Sequence, residues 1–124
     1  MAKDILLIDD DTDELEVFTE ALRLIDTSYT CAQATSLDEA FNYLGNTTPT
    51  YIFLDFNMPK TNGLQCLSIL KESGKTEESR IVLYSNFITD LMKKQVIQLG
   101  AYNYIQKPNT IVDLSEKLKD LLKD

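Results

Sequence analysis

Histidine is absent from this 124-residue chain, which excludes a His-based catalytic triad, an imidazole metal ligand and an imidazole proton shuttle. Whatever chemistry occurs must come from carboxylates, hydroxyls, amines or the backbone. Cysteine is scarce: Cys31 and Cys66 make neither a disulfide framework nor a zinc knot, and they read as small core residues of a protein in the reducing cytoplasm. No apolar run approaches the roughly eighteen residues of a membrane span, and no basic-then-apolar leader opens the chain, so neither membrane insertion nor secretion is expected. Positive charge is in deficit, with 12 basic residues against 20 acidic ones and a net charge of −8. Such a chain repels phosphate backbones and anionic lipid, which disfavours direct binding to nucleic acid or a membrane surface.

What is present is an ordinary globular composition, 44% apolar and 26% charged, with neither a linker nor a repeat. Residues 1–124 are read as one domain. Short apolar runs stand at Ile5–Ile8, Tyr29–Ala34, Tyr51–Leu54, Ile81–Tyr84 and Ala101–Ile105. The first, third and fourth are nearly continuous, which suits strands buried on both faces of a parallel sheet; the second and fifth are more mixed and belong nearer an edge. Between them run helical spacings: Leu15, Phe18, Leu22 and Ile25; then Leu37, Ala40, Phe41 and Leu44, preceded by a capping-box signature at Ser36 and Glu39. Leu64, Leu67 and Leu70 mark a third helix. Ile88, Leu91, Met92, Val96 and Leu99 mark a less regular fourth. Ile111, Leu114, Leu118 and Leu121 mark the last, with Thr110 as its N-cap. The order βαβαβαβαβα predicts a doubly wound α/β fold: a five-stranded parallel sheet, flavodoxin-like, with strand order 2-1-3-4-5.

In such sheets ligands bind beyond the carboxyl ends of the strands, beside the point where strand order reverses. Asp9, Asp10 and Asp11 follow the first strand, Asp55 ends the third, Ser85 the fourth, and Lys107 follows the fifth. Asp9, Asp10 and Asp55 would bring like charges together at a cost on the order of 4 kcal/mol per close pair. A hard divalent cation removes that conflict, and a few carboxylates with a loop carbonyl and waters is how Mg²⁺ is usually held. Cation, amine, hydroxyl and an exposed carboxylate make a site for a phosphoryl group, with the carboxylate as nucleophile. Asp11 fits a helix-capping role and stays outside this set.

Four blocks carry a resemblance to the receiver domains of two-component response regulators: Ile5–Asp11, Leu54–Gly63, Val82–Ser85 and Tyr104–Pro108. The likeness spans essentially the full chain. It implies that Asp55 is the phosphoacceptor, that Asp10 is a direct Mg²⁺ ligand with Asp9 acting through a bound water, and that the Asn57 main-chain carbonyl is a further ligand. It implies that Ser85 and Lys107 bond the phosphoryl oxygens, and that Tyr104 swings with Ser85 as a switch aromatic. Pro59 is expected to fix the turn after Asp55, Gly63 to permit a sharp start to the third helix, and the Lys107–Pro108 bond to be cis. Ser85 stands where threonine is commoner, Asn86 where a small residue is usual, and Asn109 where an apolar one is frequent. Asn57 and Phe87 occupy positions that influence phosphoryl lifetime in the family.

The resemblance further implies a phosphorelay switch rather than a turnover enzyme. It would take its phosphoryl group from a sensor histidine kinase or a histidine phosphotransfer protein, since the chain has no histidine of its own. Output would pass to a downstream protein through the fourth helix, fifth strand and fifth helix. With no output domain after residue 124, a stand-alone cytoplasmic regulator is expected, monomeric or dimerising on phosphorylation. Three alternatives compete. A haloacid-dehalogenase-like phosphatase would use the Asp9–Asp13 stretch, but it misplaces Asp13 and leaves Asp55 idle. A flavin binder would need a phosphate loop that Asp9–Asp11 would repel. An adaptor of the same fold that is never phosphorylated would leave a complete site unused.

Overall fold

The computed structural model describes residues 3–26, 28–58 and 62–122. Strands and helices alternate without interruption: β1 (Lys3–Ile8), α1 (Asp13–Arg23), β2 (Tyr29–Ala34), α2 (Leu37–Leu44), β3 (Tyr51–Asp55), α3 (Gly63–Glu72), β4 (Arg80–Ser85), α4 (Asp90–Gln98), β5 (Asn103–Gln106) and α5 (Ile111–Leu121). The strands form one sheet in the order β2-β1-β3-β4-β5, and every neighbouring pair is parallel. Parallel neighbours cannot be joined by hairpins, so α1 to α4 are crossovers lying on one face or the other, and α5 packs back on the sheet after the last strand. Continuous apolar runs occupy the sheet centre: every residue of β3 is buried, as are Ile5–Ile8 of β1 and Ile81–Ser85 of β4. The mixed runs β2 and β5 are the edges.

Because side chains alternate across a strand, two separate cores result. Leu6, Ile8, Ile52, Leu54, Ile81 and Leu83 pack with Ala40, Leu44, Leu67, Leu70 and Val96, the inner faces of α2, α3 and α4. Ile5, Leu7, Tyr51, Phe53, Val82 and Tyr84 pack with Phe18, Leu22, Leu114 and Leu118 of α1 and α5. In this second core Phe18, Phe53 and Tyr84 meet edge to face, with centroids 4.8 to 6.2 Å apart, an arrangement that places ring edges against ring faces.

Local chemistry sets the helix boundaries. The Thr110 side chain accepts from the Asp113 amide, as a cap should. Ser36 likewise accepts from the Glu39 amide, but Glu39 turns to the amide and hydroxyl of Thr35, so the capping box closes only in half. β5 begins at Asn103 rather than at Ala101. The Ala101 amide is still bonded to the Val96 carbonyl, closing the exit from α4 around Gly100 at φ +97°, a conformation that a side chain would oppose. The irregular fourth spacing becomes a shallow helix in which Val96 alone is buried, while Leu91 is 65% exposed.

Candidate functional site

Strand register assembles the site. Ile8 pairs with Leu54, so Asp9 and Asp55 are the next residues along adjacent strands at the reversal between β1 and β3. Ser85 pairs with Gln106, and the Lys107 amide donates to the Ser85 carbonyl at 2.8 Å, which brings Lys107 to the same rim. One carboxylate oxygen from each of Asp9, Asp10 and Asp55 falls within a 4.8 Å cluster. Asp9 is fully buried, Asp55 is 4% exposed and Asp10 faces solvent. The loop is braced from below: the Asp11 amide donates to Asp9 Oδ1 at 2.9 Å, and Gln33 Nε2 donates to the Asp9 and Asp11 carbonyls at 2.8 Å. Asp11 itself accepts from the Asp13 amide at 3.0 Å, the local capping role expected of it.

Lys107 is the counter-charge. Its Nζ lies 3.1 Å from Asp9 Oδ2, 3.5 Å from Glu14 Oε1 and 3.7 Å from Asp55 Oδ1, with the ammonium 5.0 Å from the Tyr84 ring centre. Burial by itself would lower the lysine's pKa, but the charges of Asp55, Asp9 and Glu14 outweigh it and hold the ammonium above its ordinary value. Burial pushes the Asp55 carboxyl up to about 6; the Asn57 amide, donating to Asp55 Oδ1 at 2.9 Å, and Lys107 oppose that rise, while Asp9 adds to it. The site therefore carries more negative charge than its single ammonium neutralises. Its all-oxygen, carboxylate-rich donor set fits a hard divalent cation.

The hydroxyl of Ser85 is engaged elsewhere. It accepts from Asn57 Nδ2 at 3.0 Å and donates to the Phe87 carbonyl at 3.1 Å. Asn86 is exposed, its carbonyl held by Gln106 Nε2 at 3.3 Å. Tyr104 is half-buried against the α2–α4 core, with Lys93 Nζ 5.4 Å from its ring centre.

The structure thus brings Asp9, Asp10, Asp55, Asn57, Ser85 and Lys107 to one rim, and it corrects one expectation. Among the described residues there is no cis peptide bond. The Lys107–Pro108 bond is therefore trans, the isomer an X–Pro bond favours by about 0.5–1 kcal/mol, and the long lysine side chain reaches the carboxylates from that backbone. Gly63 opens α3 without a positive φ, and a Cβ there would overlap the Phe56 ring packed over the start of the helix. The Pro59 turn lies outside the described residues. Two contributors are not legible from strand ends. Glu14 looks like a first-turn acid that favours a helix start, and Tyr84 looks like a core strand residue. Only the register of Asp55 beside Tyr84, with α1 packed over that face, shows that both border the lysine.

Comparison with known proteins agrees with this geometry. The sequence profile of the response regulator receiver domain matches residues 5–119. Among curated proteins, the phosphate regulon transcriptional regulatory protein PhoB of Pseudomonas aeruginosa is 28% identical over 123 residues, covering 99% of this chain and 53% of that protein. The chain thus spans about half the length of the curated relatives it matches. In fold it is similar to a response regulator from Thermotoga maritima, with a TM-score of 0.83, 18% identity and full coverage of both chains. A response regulator protein from Burkholderia pseudomallei, solved with a phosphorylated aspartic acid and a calcium ion, matches with a TM-score of 0.75 and 21% identity over 96% of this chain and 72% of that one. A profile match across nearly the whole sequence, on a sheet with this strand order, assigns the chain to the response regulator receiver domain family.

Proposed function

We propose that this receiver, residues 1–124, accepts a phosphoryl group on Asp55 from the phosphohistidine of a sensor kinase or histidine phosphotransfer protein. The carrying observation is the buried Asp55 carboxylate, clustered with Asp9 and Asp10 and 3.7 Å from Lys107. In this reading Asp9, Asp10, Asp55 and the Asn57 main-chain carbonyl hold Mg²⁺. Once bound, the ion offsets the carboxylate charge and draws electron density from the phosphoryl oxygens.

Asp55 is the nucleophile. One of its oxygens forms a bond to phosphorus as the bond from phosphorus to the partner's imidazole nitrogen breaks, the electron pair staying on that nitrogen. Lys107, already paired with Asp55, moves its ammonium onto a phosphoryl oxygen. Ser85 releases the Phe87 carbonyl and turns its hydroxyl to another. That turn vacates space into which Tyr104 swings, and the rearranged face of α4, β5 and α5 meets a downstream protein. The product is a changed conformation in the cytoplasm rather than a released molecule, so turnover is not its purpose.

Incubation with acetyl phosphate and Mg²⁺, followed by intact mass, tests the reading. The native chain gains one phosphoryl unit of about 80 Da, and Asp55→Asn gains none because an amide is not a competent nucleophile. Equal labelling of the variant overturns it.

A further inference from the structure

Glu14 stands apart from the residues the phosphoryl chemistry uses, yet it faces their only ammonium among the described residues. Its Oε1 lies 3.5 Å from Lys107 Nζ, closer than Asp55 Oδ1 at 3.7 Å, and its Oε2 accepts a long hydrogen bond from the Tyr84 hydroxyl at 3.4 Å. Tyr84 is in turn fixed: it is 1% exposed, meets Phe18 and Phe53 edge to face, and lies beneath the lysine it shares with Glu14. One carboxylate is therefore tied by one oxygen to a buried core aromatic and by the other to the ammonium of the site.

We propose that Glu14 is a positioning residue that competes with the phosphoryl group for Lys107 and so weakens the phosphorylated state. This rests on the receiver reading above. When Asp55 carries a phosphoryl group, the lysine must move outward to the new oxygens. Asp9 is then committed to the cation, which leaves Glu14 as the carboxylate that pulls the ammonium back toward α1. The Tyr84 hydroxyl holds Glu14 in that place, and a half-buried ion pair of this kind resists exchange more than an exposed one.

The test uses the full chain with Mg²⁺ and beryllofluoride, a phosphoryl mimic that binds a carboxylate without a group-transfer step, with affinity read from backbone amide NMR. Glu14→Gln, which keeps shape and removes charge, tightens beryllofluoride binding by roughly fivefold. Tyr84→Phe, which removes only the tether, tightens it in the same direction by a smaller factor. In a Lys107→Ala background Glu14→Gln has no effect, because the competitor's target is gone. Unchanged or weaker binding in Glu14→Gln overturns the proposal, and so does a tightening that persists without Lys107, since that would be plain charge repulsion. If Glu14→Gln does not fold, Tyr84→Phe decides alone, tightening in support and no change against. A native chain that takes up no beryllofluoride overturns the proposed phosphoryl acceptance on Asp55 and this proposal with it; native uptake with an indifferent Glu14→Gln overturns this proposal only.

Discussion

The Asn57 side-chain amide donates to the Ser85 hydroxyl at 3.0 Å, and that hydroxyl donates onward to the Phe87 carbonyl at 3.1 Å. Asn57, two residues past Asp55, thus commits the Ser85 hydroxyl to partners other than the Asp55 carboxylate. A neutral hydrogen bond of this kind is worth about 1 kcal/mol. Asn57→Ala should shift the free chain toward the turned Ser85 conformer by roughly fivefold, seen as altered exchange broadening at the Ser85, Phe87 and Tyr104 amides. Exchange identical to that of the native chain would show that Asn57 is no latch.

Asp55 makes the metal-free fold sensitive to pH. Its folded-state value of about 6, against an ordinary 3.8, means that the native state holds this proton more tightly than the unfolded chain does. Its contribution to stability is complete below the ordinary value and declines as pH rises through about 6. In chelator at pH 7, Asp55→Asn should be more stable than the native chain by about 2 kcal/mol, the gap closing toward pH 4, as urea denaturation across that window would show. Lys107, whose value is raised, keeps its stabilising charge throughout this range. A gap that does not change with pH would place the Asp55 charge elsewhere than in this cluster.

Replacing Asp10 tests cation binding apart from folding. Asp9 is buried and bonded to the Asp11 amide and Lys107, so its replacement disturbs structure as well as charge. Asp10 is solvent-facing and belongs to the acidic cluster. Asp10→Asn should leave metal-free stability within about 0.5 kcal/mol of native, yet abolish most of the melting-temperature rise expected when Mg²⁺ is added to the native chain. A retained Mg²⁺ response would remove Asp10 from the ligand set.

How much of this was legible in the sequence varies with the kind of signal. Continuous runs such as Tyr51–Leu54 declare a strand buried on both faces, and the acids, Ser85 and Lys107 declare themselves by standing at strand ends, where a parallel sheet gathers its ligands. Thr110 capped its helix as local chemistry requires. Features that depend on a tertiary neighbour were not legible. Gly63 reads as a flexible turn residue until the Phe56 ring is seen against it. Ala101 reads as strand until its amide is found closing the preceding helix. Glu14 and Tyr84 border Lys107 only because α1 packs over the face that Tyr84 shares with Phe53.

The most direct test of Asp55 as the acceptor is chemical trapping. The chain is treated with acetyl phosphate and Mg²⁺, reduced with borohydride, digested and mapped by mass spectrometry. Reduction of an aspartyl phosphate gives homoserine, so the account predicts a loss of about 14 Da at Asp55 alone, dependent on Mg²⁺. Reduction at Asp9 or Asp10, or none at any aspartate after phosphoryl uptake, would contradict it.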